Sequence, residues 1–378
     1  MLAILPRAIR RARPAQRIHE VGTRFAATAW RRWFLDRHAE FWLRELGTGW
    51  SLDERRARVV DVIAETSDCR TIVLAPGRGW PGHLAGQYVP VELEVDGVRL
   101  RRCYSISSGS SSPGARRIAI TVRRVDGGRV STALHQLRRG DRVTLGDPAG
   151  AFVLDPAARK LLLVAGGSGV TPIIAMLREL ASRSGASGGD QAGLDIVVVH
   201  GSRRADDAIF GDELASLATR VPWLRLHARR DDEVGRLDAA AFAALVPDLA
   251  DRETFVCGPP GLINVVTAAA GAAGALHRVH LERFVAAPIA SATSDATVQL
   301  VRAGVRVVAS GPGPLLAQLE RAGQRPAYGC RMGICNTCRC RKRSGTVEDV
   351  TTGAVSSEPD QDIRLCVSLA RSDLELEL

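Results

Sequence analysis

The sequence predicts a multidomain chain in which an antiparallel β-barrel precedes an α/β domain with a parallel sheet, and a small third module follows. Its 378 residues allow two or three domains of ordinary size, and a balance of 46% hydrophobic to 24% charged residues is typical of globular proteins. Short β-rich runs fill residues 55–155, whereas strand-like and helix-like runs alternate from Lys160 onward. Four of the eight cysteines lie between Cys330 and Cys340, which favours metal binding over disulfides in a chain without an export signal.

Residues 1–54 form a basic, tryptophan-rich N-terminal extension. In residues 1–50, ten Arg oppose four acidic residues, which gives +6 of the net +10, and four of the six tryptophans also lie there. This pairing predicts contact with a membrane surface or a protein partner rather than with nucleic acid; a helix packed on the next domain is the alternative. Since no apolar run approaches the roughly 18 residues of a membrane span, we expect a cytoplasmic protein, peripheral to the inner membrane face if the extension binds lipid.

The predicted barrel covers residues 55–155 and has the turn spacing of a small antiparallel barrel. Its strand-like runs are RVVDVIAE, RTIVLAPG, QYVPVELEV, RIAITVRRV and DRVTLGDP. The tetrapeptide RCYS, on a further barrel strand, carries Arg102, Tyr104 and Ser105. These side chains would place a guanidinium on the phosphate of a flavin, a phenol ring against its isoalloxazine and a hydroxyl near its N5 atom.

A glycine turn, GGRVS at residues 127–131, follows about twenty residues after that tetrapeptide and enters a short predicted helix. Gly128 leaves backbone N–H groups open to a pyrophosphate, and Ser131 adds a hydroxyl, which favours FAD over FMN. Each motif is weak alone, and the two in this order are much more specific.

The α/β domain is predicted over residues 156–284. The run LLLVAGG leads into the helix TPIIAMLRELASR, IVVVHGSR leads into the helix DAIFGDELASLAT, and TFVCGPP precedes a third helix. Such alternation predicts a parallel sheet. Within GGSGVTP, Gly167 and Thr171 stand where a dinucleotide pyrophosphate would approach the N-terminus of a helix.

Three further residues in this domain point to a nicotinamide cofactor. Ser202 and Arg203 follow the second strand, where an NAD enzyme often carries an acid for the ribose, so a 2′-phosphate and hence NADPH are favoured. Cys257, in CGPP at the end of the third strand, would lie close to the nicotinamide ring. Glycines of an ordinary turn, solvated arginines and a buried cysteine are the structural alternatives.

A linker over residues 285–297 precedes a module at residues 298–378 that contains the cysteine cluster. Its pattern is C-x4-C-x2-C with a fourth cysteine after 27 intervening residues, the plant-type spacing of a 2Fe-2S cluster. Three ligands are expected on one loop and the fourth on a distant strand; zinc sites more often use two short cysteine pairs. The four predicted ligands are Cys330, Cys335, Cys338 and Cys366, and Cys340 is expected to be a buried strand residue.

The segment YGCRMGICNTC resembles plant-type ferredoxins, and from about residue 55 onward the chain resembles the ferredoxin-NADP reductase superfamily. The similarity is to members with a C-terminal ferredoxin domain, such as oxygenase and desaturase reductases. It implies an α+β (β-grasp) fold for the last module. It also implies three groups of residues: Arg102, Tyr104, Ser105 and Ser131 contact FAD; Gly167, Thr171, Ser202, Arg203 and Cys257 face NADPH; Glu282 and Phe284 approach the flavin.

The order of these modules predicts a converter between two-electron and one-electron transfer. A nicotinamide delivers a hydride, a flavin accepts two electrons and releases them singly, and an iron–sulfur cluster carries one. Catalysis is expected to be mainly positioning, with Ser105, Cys257 and Glu282 around the reacting rings. With its basic, tryptophan-bearing extension ahead of the flavin domain, the chain is similar to reductases of membrane di-iron fatty acyl desaturases, so such a desaturase is the expected acceptor. A soluble aromatic-ring or acyl-CoA oxygenase is the alternative, and a redox sensor without turnover is a third interpretation.

Overall fold

The computed structural model describes residues 55–77, 79–111, 113–187, 193–284, 295–329, 331, 333, 336–351 and 353–378, with residues 184–187 described as backbone only. The N-terminal extension, most of the predicted linker, Cys330 and Cys335 lie outside the described residues. In the described part of the chain, no helix is long and apolar enough to cross a membrane.

The first domain is a six-stranded antiparallel sheet in the order β4-β3-β6-β1-β2-β5. Ile106, just after β4, forms a bridge with Ile120 on β5, so the two edges of the sheet meet and close a barrel. Alternate residues such as Val89, Val91, Ile72 and Leu74 fill its interior. The elements are β1 (Arg55–Thr66), β2 (Cys69–Pro76), β3 (Tyr88–Val95), β4 (Val98–Ser105), β5 (Ile118–Arg123), α1 (Arg129–Gln136) and β6 (Arg142–Leu145).

The second domain is a parallel five-stranded sheet in the order β11-β10-β7-β8-β9. Its two faces are covered by separate apolar clusters, so the central strands are buried on both sides. The elements are β7 (Lys160–Gly166), α2 (Val170–Ser187), β8 (Asp195–Ser202), α3 (Gly211–Arg220), β9 (Leu224–Arg230), α4 (Asp231–Val234), α5 (Ala239–Leu245), β10 (Glu253–Cys257), α6 (Pro260–Ala272) and β11 (Val279–Glu282).

The third domain is α+β, as expected: a mixed sheet in the order β13-β12-β19-β14-β17 with a small three-stranded sheet beside it. Buried leucines of its one described α-helix pack on the sheet. The elements are β12 (Ala296–Leu300), β13 (Val305–Ala309), α7 (Leu315–Arg321), β14 (Arg339–Ser344), β15 (Val347–Asp349), β16 (Val355–Ser356), β17 (Gln361–Arg364), β18 (Ser368–Ala370) and β19 (Leu374–Leu376).

Lys342, on β14, has no exposed surface. Its ammonium group donates hydrogen bonds to the carbonyl oxygens of Gly345, at 2.7 Å, and Glu358. Both bonds satisfy a charge that burial would otherwise make costly, so this lysine holds the turns around β14 together.

The predicted fold class is confirmed, and two details of the α/β domain differ from expectation. The helix expected from Asp207 begins at Gly211, because Phe210 takes a left-handed conformation with φ of 57° and is buried in the apolar cluster on one face of the sheet. The strands β9 and β11 were not predicted. Their charged residues hide the apolar pattern, since both strands lie at the edges of the sheet.

Candidate cofactor sites

The end of β4 holds the buried hydroxyl of Ser105. Ser105 is 5% exposed, and among the described residues its Oγ has no hydrogen-bond partner. A buried hydroxyl without a hydrogen-bond partner destabilises the folded state unless a bound ligand supplies that partner. The position therefore fits the predicted contact between Ser105 and a flavin.

The other two predicted flavin contacts of the tetrapeptide, Arg102 and Tyr104, lie beside Ser105 on β4. Tyr104 packs against the barrel core, and burial raises the pKa of its phenol above the usual value despite the nearby charge of Arg102. The phenol is therefore neutral across the physiological range. The Arg102 guanidinium donates to the carbonyl of Arg101 at 2.8 Å.

The glycine turn before α1 is held by its own residues. Ser131 Oγ accepts from Val125 N and donates to the Gly128 carbonyl, both at 3.1 Å. A Cβ added at Gly128 would lie 2.6 Å from Ser131 Oγ and 2.9 Å from the backbone carbonyl oxygen of Val125, so a side chain there would force the turn to shift. The Ser131 hydroxyl thus has a turn-stabilising role besides the phosphate contact that the sequence predicts.

The two nucleotide motifs of the α/β domain meet at the carboxyl edge of the sheet. A Cβ at Gly169 would lie 2.1 Å from the Cys257 carbonyl oxygen, and one at Gly166 would lie 2.8 Å from Pro259 Cδ. Glycine is therefore required for the close approach of the β7 and β10 loops. Thr171 donates its hydroxyl proton to the Ser168 carbonyl at 2.9 Å and closes the turn that begins α2, and Gly167 has a φ of 55°.

Cys257 and Glu282 lie opposite each other on β10 and β11 at this edge. Burial, with a smaller contribution from Glu282, raises the pKa of the Cys257 thiol well above its usual value. Burial also raises the pKa of Glu282 to about 8, and its Oε2 has no partner among the described residues. A neutral carboxyl and a neutral thiol therefore face this region at pH 7, and Phe284 packs against the neighbouring apolar cluster.

A cavity of about 660 Å³ opens at the ends of β8 and β9, where the 2′-phosphate of NADPH is expected. Ser202 lines it, whereas Arg203 is exposed and lies outside the lining residues. The arginines in the lining are Arg229 and Arg230 of β9, and Arg230 pairs in register with Ser202. Sequence reasoning missed both, because LRLHARR was not recognised as a strand; the signal was an arginine pair at its carboxyl end.

His200 also lines this cavity and is almost fully buried. Burial lowers the pKa of its imidazole to about 4, and its Nε2 has no partner among the described residues. The ring is therefore neutral at pH 7 and can accept or donate one further hydrogen bond.

The cysteine site brings together the two predicted ligands that the structure describes. Cys338 and Cys366 are both buried, and Leu365 N donates to the Cys338 carbonyl at 3.2 Å. Gly333 N donates to Cys366 Sγ at 3.1 Å, the kind of bond that tunes a cluster potential. A Cβ on Gly333 would lie 2.9 Å from both methyl groups of Val367, so the loop needs glycine here.

Two expectations about these cysteines can be compared with the structure. Cys340 is a buried residue of β14, as expected. The expectation that the fourth ligand comes from a strand was wrong, because Cys366 lies in the turn between β17 and β18. Backbone groups in a strand are used by the hydrogen bonds of the sheet. Backbone groups in a turn can bond to the cluster loop instead, as Leu365 N does to the Cys338 carbonyl.

Comparison with known proteins places these sites in a family. Residues 60–154 match the oxidoreductase FAD-binding domain, residues 163–268 the oxidoreductase NAD-binding domain, and residues 298–371 the 2Fe-2S iron-sulfur cluster binding domain. The chain is 38% identical over 333 residues to an NADPH oxidoreductase of Mycobacterium tuberculosis, covering 87% of this chain and 86% of the relative. It is 32% identical over 363 residues to the glycine betaine monooxygenase reductase subunit of Chromohalobacter salexigens, covering 87% of this chain and 96% of the relative.

Among solved structures, phthalate dioxygenase reductase matches with a TM-score of 0.59 and 26% identity, over 86% of this chain and 98% of that one. The orphaned hydroxyl of Ser105, the glycine cradle beside Cys257 and the sulfur-directed N–H of Gly333 fit FAD, a nicotinamide nucleotide and a 2Fe-2S cluster, respectively. The chain therefore belongs to the ferredoxin reductase-type family of NAD(P)H oxidoreductases that join FAD-binding, NAD-binding and C-terminal 2Fe-2S domains.

Proposed function

We propose that the protein takes reducing equivalents from NADPH and delivers single electrons to the soluble oxygenase component of a monooxygenase. When bound, the flavin accepts a hydride and releases its electrons one at a time to the cluster. The observation that carries this proposal is the similarity over nearly the whole chain to reductase components of oxygenases. Relatives include a stachydrine N-demethylase reductase of Rhizobium meliloti and one component of the 1,2-phenylacetyl-CoA epoxidase of Escherichia coli.

In this proposal the chain's residues orient the cofactors rather than exchange protons with them. Ser105 donates its hydroxyl proton at the end of β4, where no described residue accepts it, and Cys257 shapes the nicotinamide pocket as a neutral thiol. Glu282 is protonated at pH 7 and can donate a hydrogen bond from Oε2. Ser202, with Arg203 or the β9 arginines, binds the 2′-phosphate that distinguishes NADPH from NADH.

A membrane fatty acyl desaturase is the second candidate acceptor, and one feature favours it. The extension of residues 1–50 holds +6 of the net charge, ten Arg minus four acidic residues, together with four tryptophans. Arginine and tryptophan together favour an anionic membrane surface. A redox sensor without turnover is not retained, because the chain belongs to a family of oxidoreductases.

Reconstitution with an acceptor tests the proposal. The holoprotein is mixed with NADPH and either the purified oxygenase component of a glycine betaine monooxygenase or membranes that contain a desaturase. We expect NADPH consumption coupled to product with the soluble oxygenase, at a rate that saturates with oxygenase concentration. Product formation with the membranes but not with the oxygenase would make the desaturase the acceptor. Reduction of cytochrome c without product from either acceptor would contradict both candidates.

A further inference from the structure

The loop that follows β4 is held by two adjacent residues of α2. Arg178 Nη1 donates to the Ser107 carbonyl at 2.7 Å, and Ser110 N donates to Glu179 Oε2 at 2.8 Å. β4 ends at Ser105, and α2 begins directly after the glycine turn of the nucleotide site. Two charge-assisted hydrogen bonds of opposite polarity therefore join the flavin strand to the nucleotide helix.

Arg178 is fixed from behind by the next helix. Its Nε and Nη2 donate to the two carboxylate oxygens of Glu213, at 2.8 and 2.6 Å, in the first turn of α3. Its guanidinium also lies over the ring of Phe210, 4.8 Å from the centroid. A planar guanidinium held by a carboxylate along one edge and by an aromatic ring on one face has one orientation, and that orientation aims its remaining nitrogen at Ser107.

Glu179 approaches the loop just as closely. A Cβ added at Gly109 would lie 3.2 Å from Glu179 N and 3.4 Å from its Cα, so the loop backbone rests on the helix backbone. Arg183, one turn along α2, pairs with the other oxygen of the same carboxylate at 2.9 Å, and among the described residues its hydrogen bond goes to Glu179 rather than to the loop. Arg183 therefore helps to hold the Glu179 carboxylate in place, whereas Arg220 of α3, whose described hydrogen bond goes to the Ser216 carbonyl of its own helix, is the control for the effect of charge alone.

The opposite side of the loop is anchored to the barrel. The hydroxyls of Ser107, Thr121 and Thr71 are buried in a row with separations of 2.9 and 2.8 Å, and Thr71 donates to Glu65 Oε1 at 2.6 Å. Ser107 thus cannot shift toward or away from α2 without breaking this row. A displacement of the helix is transmitted to the end of β4 instead of being absorbed by the loop.

We propose that Arg178 and Glu179 are positioning residues for hydride transfer, acting through the loop at residues 107–110. They set the separation between Ser105 on the flavin side and the cradle of Gly169 and Cys257 on the nicotinamide side. A misplacement of about 1 Å costs a reaction of this kind about a hundredfold in rate. The inference concerns the step from nicotinamide to flavin and does not depend on which acceptor follows.

The test is the rate of flavin reduction in the holoprotein, measured by anaerobic stopped-flow at saturating NADPH. We expect Arg178→Ala to lower this rate at least about tenfold, with bound FAD retained and the dissociation constant of NADPH changed less than about threefold. Arg178→Lys keeps a donor for the Ser107 carbonyl but loses the pair of hydrogen bonds to Glu213. Its rate of flavin reduction should therefore lie between those of the wild type and Arg178→Ala. Arg220→Ala, at an exposed arginine that bonds within α3, should reduce flavin at the wild-type rate.

A spectroscopic readout separates positioning from a merely structural role. The long-wavelength charge-transfer absorbance of reduced flavin with NADP+ should weaken in Arg178→Ala and recover in part in Arg178→Lys. A wild-type rate and band in Arg178→Ala would overturn the proposal. If that variant loses FAD, Glu179→Gln and Glu213→Gln decide: slower reduction with FAD bound supports the proposal, and unchanged reduction overturns it.

Discussion

Glu282 shows how one residue at the carboxyl edge of a sheet couples chemistry to stability. Its folded pKa of about 8 lies above that of an exposed glutamate, about 4.3. The stability that its neutral form confers is therefore complete below about pH 4.3 and is lost as the pH rises through about 8. The ionised carboxylate destabilises the folded state because it is taken out of water and its Oε2 has no partner in the described part of the chain.

Glu282→Gln should remove this dependence. We expect the variant to gain about 1 to 3 kcal/mol of unfolding free energy relative to the wild type between about pH 6 and about pH 9. Thermal unfolding of both proteins at the two pH values measures it. Glu375→Gln, at an exposed carboxylate of β19, is the control. Parallel pH profiles for the wild type and Glu282→Gln would show that Glu282 ionises freely in the folded state.

The preference for NADPH over NADH is expected to depend on a single arginine that binds the 2′-phosphate. Losing one charge-assisted bond costs about 1.5 to 3 kcal/mol, which is about ten- to a hundredfold in affinity. We expect Arg203→Ala to weaken NADPH binding by that factor and to leave NADH binding unchanged, as measured by fluorescence titration. If Arg230→Ala shows the selective loss instead, the phosphate contact lies on β9; equal losses for both nucleotides would make the residue structural.

At the scale of elements, the cysteine loop and the strand that follows it have separate roles. Cys338 precedes β14 and fits the ligand spacing, whereas Cys340 lies within the strand among core residues. Burial raises the pKa of the Cys340 thiol to about 11, so it is not a thiolate at pH 7.

Replacing each of the two cysteines by serine separates these roles. Cys338→Ser should lose the cluster and cytochrome c reduction while keeping FAD and ferricyanide reduction. Cys340→Ser should keep both cofactors. Iron content per chain and the visible spectrum measure the outcome, and loss of iron in Cys340→Ser would reassign the ligands.

The strands of the parallel sheet that the sequence predicted share one physical property, which is burial on both faces. β7 and β8 are buried on both faces, so their residues form continuous apolar runs that cannot be mistaken. β9 is an edge strand whose exposed positions carry arginines, and its pattern reads as a polar loop. This is why the sequence pointed to Ser202, which lines the cavity, but missed Arg229 and Arg230, which reach the same cavity from β9 through tertiary packing.

At the scale of the whole molecule, the order of the three domains was predictable because each carries its own motif. The contact between α2 and the loop after β4 was not, since Arg178 and Ser107 are 71 residues apart and neither belongs to a motif. Contacts between domains form between the surfaces of domains that have already folded. The spacing of residues along the sequence therefore does not predict them.

The extension can be tested as a separate part of the chain. If it binds an anionic surface, deleting residues 1–48 should leave the visible spectrum and cytochrome c reduction intact while reducing sedimentation with anionic vesicles. Binding of the full chain should fall as salt rises, because the attraction is screened within about a Debye length. Loss of FAD on truncation, with no vesicle binding by the full chain, would instead make the extension part of the fold.

The scarcity of lysine has a practical consequence. Of the two lysines, Lys342 is sealed inside the third domain, and Lys160 is the first residue of β7, with its side chain 36% exposed beside Asp248 and Asp251. Of the two lysines, Lys160 is therefore the one that amine-reactive dyes or an activated electrode would reach. Lys160 stands at the amino end of a seven-residue strand, about 20 Å from the carboxyl edge where Gly166 lies. Coupling there would tether the protein with its nucleotide edge turned away from the support.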